Sequence, residues 1–99
     1  MANADIDRET RVRIAEDVVF RDLAGEAVLL NLKTGVYFGL DPVGTRVWHL
    51  IGEGRSVGEI VDALVAEYDV SAPRCAADLA DLLVALRDGD LVRVVHAPA

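Results

Sequence analysis

The chain is poor in the residues that most often carry chemistry or covalent cross-links: one cysteine, two histidines and 5% aromatic residues in 99. Cys75 alone cannot form an internal disulfide, and no histidine or second cysteine stands at metal-ligand spacing from it, so it reads as a small apolar residue facing the core. His49 and His96 lie far apart with no paired nucleophile, and Ser56 and Ser71 precede helical patterns as caps. No catalytic residue, cofactor site or metal site is therefore expected. Long apolar runs are missing as well: none approaches the roughly 20 residues that span a bilayer, and MANADIDRETR lacks the apolar centre of a signal peptide. These absences predict no membrane association and a cytoplasmic location.

Basic residues are scarce too. Ten Lys and Arg face seventeen Asp and Glu, for a formal charge of −7, and no basic run is present to displace counterions from a phosphate backbone. Nucleic acid is thus an unfavourable partner, and a neutral or basic polypeptide a favourable one. What the chain has in quantity is aliphatic: 53% of residues are hydrophobic, mostly Val, Leu and Ala. That content supports one compact core without metals or disulfides.

Residues 1–10 are polar around an isolated Ile6 and read as a flexible arm, residues 11–95 as the domain, and residues 96–99 as a short tail. Within the domain, Val18 to Arg21, Ala27 to Leu30 and Val36 to Leu40 read as three strands of an antiparallel meander, with turns at Ala24-Gly25 and Lys33-Thr34-Gly35. Asp41-Pro42 then supplies an N-cap and a proline at the first helical position. In that first helix Val43, Val47, Leu50 and Ile51 recur at helical spacing with Trp48 beside them, and Gly52 and Gly54 close it. A second helix opens on Ser56 and Glu59 at capping-box spacing, with Val57, Ile60, Val61, Leu64 and Tyr68 as its apolar stripe. A third runs from near Ser71 to Gly89 with Cys75, Leu79, Leu82, Leu83 and Leu86 on its buried side, while Leu91 to Val95 suit a short final strand. The fold class expected is α+β, of winged helix-turn-helix type.

The third expected strand is the most suggestive segment. Val36, Phe38 and Leu40 alternate with Tyr37 and Gly39, as on an amphipathic edge strand, and an edge can pair with an extended peptide through its free N–H and C=O groups. On the third helix Asp78, Asp81 and Asp88 alternate with Arg74 and Arg87, which reads as a solvated face and, with a net charge of −1, a poor DNA-recognition helix.

Three stretches together, VLLNLKTGVYFGLDPVGTRVW, SVGEIVDALVAEYDV and ADLADLLVALRDGDLV, resemble the PqqD-like peptide-recognition domains of ribosomally made, modified peptide pathways, over roughly Arg11 to Val95. The resemblance implies a winged helix-turn-helix domain without catalytic activity that binds the leader segment of a precursor peptide. The leader would dock as an extra antiparallel strand on the backbone of Val36, Tyr37, Phe38, Gly39 and Leu40. Its apolar side chains would lie against the third helix, where Cys75, Asp78, Leu79, Leu82 and Leu86 are the candidate groove residues. A modifying enzyme, such as a leader peptidase or a radical SAM enzyme, is the implied second partner, and an exchanged N-terminal hairpin would give a homodimer. The turn Asn31-Leu32-Lys33-Thr34-Gly35 departs from the Pro-Glu-Gly type of PqqD proper, the pyrroloquinoline quinone protein, and is more similar to recognition proteins of lasso-peptide clusters. Quinone biosynthesis and a DNA-binding winged helix stay as the alternatives.

Overall fold

The structure, a computed structural model, describes residues 6–95. Five strands and three helices follow in the order β1 (Arg11–Ile14), β2 (Val18–Leu23), β3 (Glu26–Asn31), β4 (Tyr37–Gly39), α1 (Pro42–Gly52), α2 (Val57–Glu67), α3 (Ala72–Asp88) and β5 (Val92–Val95). The expected α+β class and the meander are present, with β2, β3 and β4 as an antiparallel sheet in that order. One strand was not expected. β1 pairs antiparallel with β5, Val12 opposite Val94 and Arg13 opposite Arg93, and makes a separate two-stranded ribbon. RVRI carries the two-residue alternation of a strand, but its partner lies some eighty positions away, where no local pattern points to it.

The arm expected over residues 1–10 is anchored where it is described. Thr10 is buried, the Asp7 carboxylate accepts from the N–H groups of Glu9 and Thr10, and the Arg8 and Thr10 carbonyls accept from Gly58 and Val57. These bonds use donors that the first turn of α2 would otherwise leave without partners. Residues 1–5 and the tail assigned to 96–99 lie outside the described residues.

β3 organises the core. Its alternation buries Ala27, Leu29 and Asn31 against the helices and leaves Val28 and Leu30 half-buried on the other face. Two polar side chains hold its ends. The Ala27 N–H donates to Thr45 Oγ1 of α1 at 2.8 Å, where the β3–β4 ladder stops. At the other end Asn31 Nδ2 donates to the Asp90 carbonyl at 2.7 Å, while its Oδ1 accepts from the N–H groups of Lys33 and Thr34 and so shapes the hairpin turn. Gly35 completes that turn at φ +78°, a conformation glycine adopts without steric penalty.

The helices begin as the sequence predicts. Asp41, Ser56 and Ser71 accept from the N–H groups of Gly44, Glu59 and Arg74, and the Glu59 carboxylate closes the capping box on the Ser56 N–H at 2.8 Å. Trp48, 1% exposed, seats α1 on the sheet and meets the Phe20 ring edge-on at 5.9 Å between centroids. Two assignments to apolar stripes are corrected. Val43 is 42% exposed because it lies in the first turn of α1, ahead of the part that packs on the sheet. Tyr68 is the C-cap of α2, extended and 39% exposed, because the helical repeat has ended before it. Gly89 caps α3 as expected but with φ −86°, and the left-handed turn into β5 falls on Asp90 at φ 58°.

Asn31→Ala should destabilise the protein by about 2–3 kcal/mol, since a part-buried carbonyl and two part-buried turn N–H groups lose their partner together. Ser56→Ala, which removes one cap, should cost only about 1 kcal/mol. Urea denaturation of the two variants checks the order.

Acid should act through two glutamates. Hydrogen bonds from the Ser56 backbone and hydroxyl hold Glu59 below the ordinary glutamate value of 4.5, and a two-pronged pair with Arg46, at 2.9 and 2.8 Å, does the same for Glu67. The unfolded chain therefore takes up these protons first. The stabilisation is complete above the ordinary value and disappears as pH falls through the lowered ones. Glu67→Gln should flatten the change in urea midpoint between about pH 6 and about pH 3.

Candidate functional site: a groove beside the free edge of β4

β4 is an edge strand with one side occupied. The Leu40 N–H donates to the Ala27 carbonyl at 2.8 Å and the Asn31 N–H to the Val36 carbonyl at 3.0 Å, so the ladder extends from Val36 to Leu40 although the strand itself is three residues long. In an antiparallel ladder alternate residues turn their backbone groups to opposite edges. Val36, Phe38 and Leu40 therefore face β3, and the N–H and C=O groups of Tyr37 and Gly39 point away from it. Among the described residues no strand pairs with that outer edge.

A groove of about 600 Å³ lies next to β4. Phe38, Gly39 and Leu40 form one wall, and Cys75, Asp78, Leu79 and Leu82 of α3 form another. Asp41, Val43, Gly44 and Val47 of the α1 start close one end, and Leu64, Tyr68 and Val70 contribute from the α2 terminus and the loop after it. The lining is apolar apart from Asp41 and Asp78, and it includes no Lys or Arg. Asp41 is engaged as the α1 cap, and Asp78 lies 3.6 Å from Arg74 on the exposed side of α3.

The structure therefore brings together eight of the ten candidate residues, or their backbone: Tyr37, Phe38, Gly39, Leu40, Cys75, Asp78, Leu79 and Leu82. Tyr37 belongs to them through its edge-facing backbone, since its side chain is 71% exposed on the outer face of the sheet. Two candidates fall elsewhere. Leu86 is 1% exposed and does not line the groove, because it sits on the face of α3 that packs into the core. Val36 is 37% exposed and lies beyond the lining, at the turn end of the ladder. Asp41, Val43, Gly44, Val47, Leu64, Tyr68 and Val70 were not foreseen as lining residues; the available signal was that Val43 and Tyr68 sit at helix ends, where an apolar residue leaves the packed stripe.

The groove residues fall within the part of the chain, residues 26–92, that matches the family described as coenzyme PQQ synthesis protein D (PqqD). The chain belongs to the PqqD family. Among solved structures, this PqqD-family chain is similar to TbiB1 in complex with the TbiA(beta) leader peptide, at 46% identity and a TM-score of 0.80 over 87% of this chain and 99% of that one. It also matches the fold of a lasso peptide synthetase B1 complexed with the leader peptide, at 22% identity and a TM-score of 0.74 over 86% and 98% of the two chains. No curated protein matches the chain significantly.

Among the described residues no group of three or more His, Cys, Asp or Glu could hold a metal ion. Burial, assisted by the Asp78 carboxylate, raises the Cys75 thiol above its ordinary pKa and keeps it in the unreactive protonated form. Iodoacetamide at neutral pH should alkylate Cys75 at least about tenfold more slowly than free cysteine, and a ligand that fills the groove should slow it further; mass spectrometry over time follows both.

Proposed function

We propose that this protein is a non-catalytic recognition protein that binds the leader segment of a ribosomally made precursor peptide and presents it to modifying enzymes. The leader adds as a strand to the outer edge of β4, with apolar side chains in the groove against α3. The observation that carries this reading is the unpaired edge of Tyr37 and Gly39 standing directly beside an apolar groove. Backbone hydrogen bonds fix the direction of the incoming strand, and alternate side chains entering the groove select it. With Asp41 and Asp78 as its only charged lining, the groove suits neutral or basic leader residues near those carboxylates.

The lasso-peptide pathway is the context we favour. The support is the 46% identity to a protein seen with its leader peptide and the Leu32-Lys33-Thr34-Gly35 turn held by Asn31. The partner enzyme is then a leader peptidase or another enzyme that acts on the bound precursor. No observation favours a DNA-binding role for α3, where Arg74 pairs with Asp78 and Arg87 with Asp88, each at 3.6 Å.

Ladder parity makes the reading specific to single residues. Gly39→Pro removes an N–H that points away from β3, and an added Cβ there meets nothing within 4 Å, so the fold should persist. Leader binding, titrated with the TbiA(beta) leader peptide that the 46%-identical TbiB1 binds, should weaken by about tenfold or more as a backbone donor is lost and a ring obstructs the edge. Phe38→Pro, which cuts the ladder to β3, should destabilise the hairpin itself. Retained affinity in a folded Gly39→Pro variant would show that the peptide does not pair with β4.

On α3 the two leucines should separate. Leu82→Ala should impair binding at a smaller cost in stability, since Leu82 is only half-buried against the core, and Leu86→Ala should cost about 2–5 kcal/mol of stability while leaving the groove surface intact. Isothermal titration and urea denaturation of both variants make the comparison.

A further inference from the structure

The β1–β5 ribbon reverses the charge of the molecule. RVRI and VRVV carry three arginines and no acid, a local charge of +3 in a chain of −7. Arg13 and Arg93 are cross-strand partners on the exposed face, an arrangement in which like charges oppose strand pairing. Arg11, also exposed, donates to the Gly54 carbonyl, and nearby Arg55 pairs with Glu53 at 3.2 Å. Among the described residues no carboxylate pairs with Arg13 or Arg93.

Beside these arginines is a second cavity of about 450 Å³, set between β1 and the end of α1. Buried Val12 and Ile51 and half-buried Ile14 give it an apolar floor, and Arg11, Arg13 and Val95 are its exposed border. It shares no lining residue with the β4 groove. It also differs in sequence range: the β4 groove falls inside the family-matched residues 26–92, whereas β1 and Arg93 fall outside them.

We propose that the Arg13 and Arg93 face, together with this cavity, docks an acidic segment of a second protein that carries a large apolar side chain. Carboxylates would meet the two unmatched guanidiniums, which form forked bonds with such groups, and the apolar side chain would enter between β1 and α1. A nucleic acid fits less well. A phosphate backbone has nothing to place on the Val12, Ile14 and Ile51 floor, and the two guanidiniums form no basic run for it to follow. This inference does not depend on the peptide reading of the β4 groove, because the two surfaces have no residue in common.

The test titrates the isotope-labelled protein with a glutamate nonapeptide bearing phenylalanine at its centre, and with the same peptide bearing glycine there. Backbone amide shifts should concentrate in Arg11–Ile14 and Val92–Val95, leave Tyr37 and Gly39 unmoved, and diminish with added salt. The phenylalanine peptide should bind about tenfold more tightly than the glycine one. Arg13→Glu with Arg93→Glu should weaken it by a further tenfold or more, roughly the loss of one charged contact. Arg13→Gln with Arg93→Gln serves if the first pair disturbs folding. Equal affinity for the two peptides, or shifts confined to other surfaces, overturns the proposal. So does tighter binding of a short DNA duplex at the same residues, or self-association abolished by the same substitutions, which would assign the face to nucleic acid or to a second copy. Failure of leader binding at β4 leaves this result unaffected.

Discussion

Asn31 and Thr45 secure the two ends of β3, and the position of every element around the groove depends on that. Asn31 ties the strand to the approach of β5 and dictates the turn that returns the chain as β4, and Thr45 receives the N–H that the shortened ladder leaves over. Both side chains are nearly inaccessible to water, at 4% exposure. Polar bonds in such surroundings resist rearrangement, since breaking one leaves a desolvated group without a partner. Apolar packing of Leu29, Trp48, Leu83 and the rest of the buried cluster supplies the bulk of the core, but it has no direction. The two polar anchors supply register.

With β3 held in this way, β4 can remain an edge. It is bonded along one side from Val36 to Leu40, and α3 stands far enough away for a groove to open between them. α3 keeps its place through its buried stripe and through Leu86 and Leu91, which close the core below the groove at 1% and 0% exposure. A strand with a free edge ordinarily invites aggregation. Here the open stretch is only three residues long and includes Gly39, which limits what can pair with it. The same brevity makes side chains in the groove, more than the number of backbone bonds, the source of selectivity.

The ribbon and the groove divide the molecule by charge. One surface is apolar with two carboxylates, and the other is apolar with three arginines. Opposite charge gives the two surfaces different preferences and keeps one ligand from occupying both.

Much of this was readable from local pattern. The capping residues Asp41, Ser56 and Ser71, the turn glycine Gly35 and the alternation from Val36 to Leu40 act within a few residues of themselves, so sequence alone determined the hairpin, the helix starts and the edge-strand candidate. Helical spacing grouped Cys75, Leu79, Leu82 and Leu86 as one stripe, but it could not say which of them the core would cover. That was decided by tertiary packing, which put the first three beside β4 and Leu86 in the core. The same holds for β1, which exists as a strand only because β5 returns to it, and for the convergence of Arg13 and Arg93. A periodicity reports which residues share a face; what that face meets depends on contacts between residues distant in the chain, and only the folded arrangement contains them.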